Sequence, residues 1–185
     1  KVHKPLDDQG QYPFRPIVSG VDSITQPTSK FLASIITPST IKTRHQIQDS
    51  LHLKKLLSQH TIPDTHILVS FDITNMYPSI PRAPAIAALK RLLENDPTLK
   101  SRTNIPIPII ITLLETVLRL AHFRWREVFY AITQGCAMGC STSTPLSNAY
   151  MTEFEIGALT TYRNLHDAPP DPLTPSIPSV ILFWY

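Results

Sequence analysis

The order of hydrophobic patterns along the chain predicts an α+β fold, with helices packed on one side of a small antiparallel sheet. Five segments repeat apolar residues at helical spacing, and between them lie extended apolar runs and one alternating stretch. The 185 residues hold 18 prolines against 5 glycines, which favours many short elements over long uninterrupted helices. With 42% apolar and only 17% charged residues, the chain has material for a sizeable core and lacks the composition of a disordered segment.

The elements are expected in this order. Tyr12 to Ser19 reads as extended. Thr28 to Thr37 predicts a short helix, with Thr28 as its cap, Phe31, Leu32, Ile35 and Ile36 facing inward, and Pro38 stopping it. A second helix is expected from about His45 to Gln59, with Ile47, Leu53, Leu56 and Leu57 inward. His66 to Phe71 is a strand running directly into Asp72. Two amphipathic helices follow, Pro84 to Glu94 (Ile86, Leu89, Leu92, Leu93) and Pro108 to Leu120 (Ile109, Leu113, Leu114, Val117, Leu118). Phe123 to Thr133 alternates as a hairpin does, and its Phe123, Trp125 and Phe129 are expected in the hairpin core and not as base-stacking platforms. After a turn at Gln134–Gly139, Thr144 to Thr161 has helical spacing through Leu146, Ala149, Phe154 and Ala158. Arg163 to Ser179 carries five prolines and reads as an irregular loop before a last buried strand at Val180–Tyr185. A chain that stops inside such an apolar run reads as a piece of a longer protein.

Composition narrows the function classes. Residues 1–60 hold eight Lys/Arg and four Asp/Glu, a surplus of +4, whereas residues 61–185 hold nine and ten, a balance of −1. A basic first third draws in polyanions, although a surplus of this size is also common on ordinary surfaces. The two cysteines, Cys136 and Cys140, have no second pair to complete a zinc site, and the seven histidines form no metal-binding motif. So few cysteines fit a reducing, intracellular compartment. The longest apolar stretches, Ile105–Leu114 and Val180–Tyr185, are too short to span a bilayer.

Three segments carry chemistry. In Val69-Ser70-Phe71-Asp72-Ile73-Thr74-Asn75-Met76-Tyr77, a carboxylate ends an apolar strand. Such a group is costly unless paired or bound to a cation, so Asp72 is either a metal ligand or a cap for the next turn. In Gln134-Gly135-Cys136-Ala137-Met138-Gly139, two glycines and small residues precede a helix. That pattern permits close backbone approach to another molecule, or makes an ordinary tight connection. Arg15, in Phe14-Arg15-Pro16-Ile17-Val18-Ser19-Gly20, stands on an extended segment, where it clamps a phosphate or makes a surface ion pair.

Taken in this order, these segments resemble reverse transcriptases, closest to those of Penelope-like retroelements, which are similar to telomerase catalytic subunits. Lys1-Val2-His3-Lys4-Pro5, Arg15-Pro16-Ile17-Val18-Ser19-Gly20 and Ser29-Lys30-Phe31-Leu32-Ala33 resemble the family's fingers motifs. Ser70-Phe71-Asp72-Ile73-Thr74-Asn75-Met76-Tyr77 resembles palm motif A. Gln134-Gly135-Cys136-Ala137-Met138-Gly139, with Asn148-Ala149-Tyr150-Met151 and Phe154-Glu155, resembles motif B. After Gly139 the family usually reads Ser-Pro-Leu-Ser-Pro; this chain reads Cys140-Ser141-Thr142-Ser143-Thr144, and only Ser143 matches.

The resemblance implies a right-hand polymerase, with residues 1–60 in the fingers, 61–185 in the palm, and the thumb absent. It implies an RNA-directed DNA polymerase of a retroelement, a nucleotidyltransferase acting on an RNA template, a DNA primer and deoxynucleoside triphosphates. Two Mg²⁺ ions, replaceable by Mn²⁺, would serve catalysis, held by Asp72 and the backbone carbonyl of Ile73. Arg15 would grip the triphosphate with Lys4 or Lys1 beside it, and Gln134 and Gly135 would line the nucleotide and template pocket. Tyr77, five residues beyond Asp72, would be the steric gate that excludes a 2′-hydroxyl. On bare physics, Tyr77 is equally a core or turn aromatic. The family's Tyr-x-Asp-Asp motif is expected just past Tyr185, so the resemblance implies that these 185 residues are inactive alone. It also implies a nuclear site of action and no membrane. Two further readings are a non-catalytic nucleic-acid-binding remnant of a decayed or domesticated element, and a telomerase-like enzyme.

Overall fold

The computed structural model describes residues 6, 8, 10, 17–40, 47, 49–59 and 72–166, without the side chains of 159 and 162–166. The strands expected at 66–71 and 180–185 lie outside the described residues, as does most of the extended segment at 12–19. Six helices and one hairpin are described: α1 Gln26–Thr40, α2 Ser50–Leu57, α3 Met76–Ser79, α4 Arg82–Glu94, α5 Ile107–Arg119, β1 His122–Trp125, β2 Val128–Ala131 and α6 Ser143–His166. A single 3₁₀ turn, Leu99–Ser101, joins α4 to α5. The α+β class holds in this general sense. The described core lies among helices and contains no hairpin residue.

α1 begins after a turn in which the Ser23 hydroxyl donates to the Gly20 carbonyl (2.9 Å) and the Gln26 N–H to the Ser23 carbonyl (3.0 Å). Pro27 sits in the first turn, where a missing N–H costs nothing. The helix runs through Pro38 to Thr40 instead of stopping there. A proline so near the C-terminus disrupts only last-turn bonding, and one carbonyl there, Ile35, accepts from Arg102 Nε (3.1 Å). Leu32, Ile35, Ile36, Ser39 and Thr40 are buried, whereas Phe31, expected inward, is exposed.

α2 is shorter than its apolar pattern suggested. Asp49 caps it by accepting from the His52 N–H (2.8 Å), and no residue of α2 is buried. α4 presents Ala85, Ala88, Leu89 and Leu93 to the core, and packs against α6, whose Leu146 and Ala149 join the same buried cluster. α5 buries Ile110, Leu114, Val117 and Leu118, so Ile110 takes the inward place expected of Ile109, which is exposed. The i, i+4, i+7, i+8 spacing is that of a single helical stripe. α6 starts one residue earlier than expected and buries a mixed face of Ser143, Leu146, Ser147, Ala149, Met151, Thr152 and Glu155. Phe154 and Ala158, expected inward, are exposed.

α1, α4, α5 and α6 enclose one core, with Ile80, Leu99 and Cys136 added from the connections. Its far end is closed by a polar cluster absent from the sequence reading. Asp96, just after α4, accepts from Ser39 Oγ (2.6 Å), Arg102 Nη2 (2.7 Å), and the Thr98 N–H and hydroxyl (2.9 and 2.7 Å). Arg102 also reaches Ser39 Oγ (2.8 Å), so α1 and the α4–α5 connection are bound together. Burial pushes the Asp96 pKa up, but the hydrogen bonds from Ser39, Thr98 and Arg102 together outweigh it and hold the carboxyl well below the usual carboxylate range.

The depressed folded-state pKa means that Asp96 stabilises the fold above its unfolded value, near 4, and loses that contribution as pH falls below it. Asp96→Asn should therefore lower the melting temperature at neutral pH and flatten its decline below about pH 4. Arg102→Met, which strands a buried carboxylate, should cost about 3 kcal/mol in urea unfolding at pH 7. An unchanged midpoint in either variant would remove this cluster from the fold's stability.

Candidate functional site

Two segments far apart in sequence, 18–20 and 72–80, converge on the loop between β2 and α6. The first contact is with the segment at 72–80. Asn75 takes a left-handed conformation (φ 51°), which Asn tolerates better than most residues, and starts the single turn of α3. That turn presents the Tyr77 and Pro78 carbonyls to the loop. The Cys136 N–H donates to the Tyr77 carbonyl (2.8 Å). Gly135 lies beside it at φ 62°, and a Cβ there would collide with the carbonyl oxygens of both Tyr77 and Pro78. Here glycine is required twice over, by conformation and by space.

Arg82, at the first position of α4, holds the loop from behind. Its Nε donates to the Gly135 carbonyl (2.7 Å) and its Nη2 to the Ile132 carbonyl (2.5 Å). The Tyr77 hydroxyl meets Thr144 Oγ1 at 3.1 Å, tying the same turn to the start of α6. Ser143 Oγ donates to the Ala137 carbonyl (2.7 Å) and shapes the loop from within. Cys136 is buried; burial pushes its thiol up to about 11, with Arg82 opposing and Cys140 adding to the shift, so the side chain is an inert thiol at neutral pH.

The second contact is with residues 18–20. The Val18 N–H donates to the Met138 carbonyl (3.1 Å). Gly139, at φ 109°, has no room for a Cβ beside the Val18 carbonyl, and a Cβ on Gly20 would come within 2.9 Å of the Gly139 oxygen. Ser29 of α1 adds a contact from its hydroxyl to Cys140 Sγ (3.1 Å). Between these pieces lies a cavity of about 340 Å³ bordered by Ser29, Lys30, Val117, His122, Gly139 and Ser141. Its lining mixes apolar side chains with hydroxyls and one lysine.

Of the residues singled out from sequence, Tyr77 and Gly135 are thus in contact. Asp72 is exposed and Ile73 half-buried, in the irregular stretch just before the α3 turn, and Gln134 is exposed at the loop's start. Lys4 and Arg15 lie outside the described residues. Arg82 and Thr144 were missed. One signal pointed to Arg82: a cation at a helix N-terminus opposes the macrodipole, so its presence there asks for another partner. Among the described residues no three His, Cys, Asp or Glu side chains cluster as a metal site, and no helix is long and apolar enough to cross a membrane. No protein-family model, curated protein or solved structure matches the chain.

The two kinds of glycine should respond oppositely to the same change. Gly135→Ala should destabilise the chain by about 2 kcal/mol or more, because the loop must leave Tyr77 and Pro78. Gly157→Ala in α6, where a Cβ meets nothing, should stabilise by roughly 0.5–1 kcal/mol. Equal shifts in chemical unfolding would mean that the Gly135 contact is not formed.

Proposed function

We propose that the chain is the fingers and palm portion of an RNA-directed DNA polymerase, a reverse transcriptase similar to those of Penelope-like retroelements. One observation supports this reading above the rest. The three segments whose sequences resemble fingers, motif A and motif B are the three that meet, through Val18 on Met138 and Tyr77 on Gly135 and Cys136. Segments that serve one nucleotide site have to be neighbours, and nothing in their spacing along the chain requires it.

In this reading the exposed carboxylate of Asp72 and the adjacent Ile73 carbonyl supply hard oxygen donors of the kind Mg²⁺ takes. They would be one part of a two-ion site, whose other carboxylates would be those of a Tyr-x-Asp-Asp motif like the family's. When bound, the ions supply charge neutralisation for the transferring phosphoryl group. The chain's own residues do the positioning. The Tyr77 ring, braced by Thr144 and by the loop against its backbone, would lie under the sugar and exclude a 2′-hydroxyl by bulk. Gly135 and Gln134 would border the incoming base, and Arg15 with Lys4 would neutralise the triphosphate. RNA template, DNA primer and deoxynucleoside triphosphates are the proposed partners, within the nucleus.

The test is primer extension on an RNA template by a protein carrying this chain together with the Asp-Asp segment and thumb. Asp72→Asn should leave the melting curve nearly unchanged and lower the extension rate roughly hundredfold or more. Near-normal extension would take Asp72 out of the metal site. Tyr77→Ala should shift incorporation toward ribonucleotides by roughly tenfold, with a smaller loss of overall rate. If that ratio stays fixed while stability falls, Tyr77 is a packing residue and not a gate.

A further inference from the structure

Apart from His122 at the edge of the cavity, the β1–β2 hairpin lies outside the contacts described above, and its surface is unusual. Its two central residues, Arg126 and Glu127, both have positive φ (46° and 65°), which makes a tight two-residue turn from residues that seldom adopt it. The pairs Phe123–Tyr130 and Trp125–Val128 share one face, and His122–Ala131 and Arg124–Phe129 share the other. Phe123 and Tyr130 stack at 5.2 Å, which orders the hairpin's base. Beyond that base the aromatic surface is open: Trp125 is 61% exposed, Phe129 72%, Val128 51% and Tyr130 43%. Trp125 and Phe129, expected from sequence in the hairpin core, are thus its most exposed rings. Each carries a guanidinium, Arg126 over Trp125 (5.6 Å) and Arg124 over Phe129 (5.8 Å), one pair on each face.

We propose that this hairpin is a binding surface for single-stranded nucleic acid, with bases stacking on Trp125 and Phe129 and phosphates meeting Arg124 and Arg126. Charge selects this occupant. Within the hairpin, His122 to Ala131, there are two arginines and one acid, Glu127, which is paired with Arg124, so it is net basic (two minus one, +1). A second copy docking by the same faces would set its arginines against these. An apolar partner would strip water from both guanidinium groups without compensation. A single strand meets both needs, because every base offers a ring face and every linkage an anion. The inference stands on the hairpin's own chemistry and does not require polymerase activity.

The test uses the purified chain and a fluorescein-labelled oligothymidylate of about sixteen nucleotides, followed by anisotropy over a range of salt. Binding should weaken with salt at a log–log slope of about −1.4, the value for two neutralised phosphates. Trp125→Ala and Phe129→Ala should each weaken it about tenfold, and Arg126→Gln should reduce the slope by about 0.7. Circular dichroism should stay unchanged, since these side chains are exposed; should an aromatic variant unfold, Arg126→Gln carries the test. Absence of binding, or unchanged affinity in the Trp125→Ala/Phe129→Ala variant, would overturn the proposal. So would a concentration-dependent dimer in sedimentation that this variant dissolves, which would assign the surface to a second copy. Primer extension reads the polymerase proposal separately, so the two can fail independently.

Discussion

The guanidinium of Arg82 is the interaction on which the arrangement of the loop depends. A cation at the first position of a helix opposes the helix dipole by about 0.3–1 kcal/mol. Arg82 makes up for this with two hydrogen bonds, to the Gly135 and Ile132 carbonyls, in a partly buried setting where charge-assisted bonds are strong. Those carbonyls belong to a loop that turns through Gly135 and leaves little freedom to either side. With the loop held there, the Cys136 N–H finds Tyr77 and Gly135 fits beneath Pro78. The contacts of Met138 and Gly139 with residues 18–20 follow from the same placement.

α4 is bound at both ends by an arginine that belongs to one end of the connection and a backbone or carboxylate that belongs to the other. At its start Arg82 reaches the loop before α6; past its end Asp96 receives Arg102 and Ser39. Between them, Ala85, Ala88, Leu89 and Leu93 are buried in the core that α4 shares with α1, α5 and α6. The polar contacts set where α4 begins and ends relative to its neighbours, while the apolar stripe supplies most of the burial. Hydrophobic contact is not directional, so the two polar ends define the register.

The hairpin and the loop after it are adjacent in sequence yet use opposite chemistry. Ile132 and Gly135 give their carbonyls to Arg82, and Cys136 is buried. A few residues earlier, aromatic rings stand in solvent under guanidinium groups. The tight turn at Arg126–Glu127 sets the register that pairs Trp125 with Val128.

Much of the helical part was legible in the sequence. Apolar residues at three- and four-residue spacing marked α4, α5 and α6 to within two residues at their starts, because a helix must turn one stripe toward the core whatever packs against it. The glycines of the loop were legible as places of close approach, though not what would approach them. The helix faces were less secure: Ile110 replaced Ile109, and Phe31 and Phe154 turned outward, since a phase error of one residue rotates a side chain by about 100°. What tertiary structure alone decided are the contacts between residues distant in sequence. α1 passes Pro38 to a last turn where Arg102, 67 positions away, bonds the Ile35 carbonyl, and Arg82 meets Gly135 across 53. Whether Trp125 and Phe129 face a core or water depends on what the rest of the chain places over them. Alternation along a strand specifies two faces but not which of them is covered.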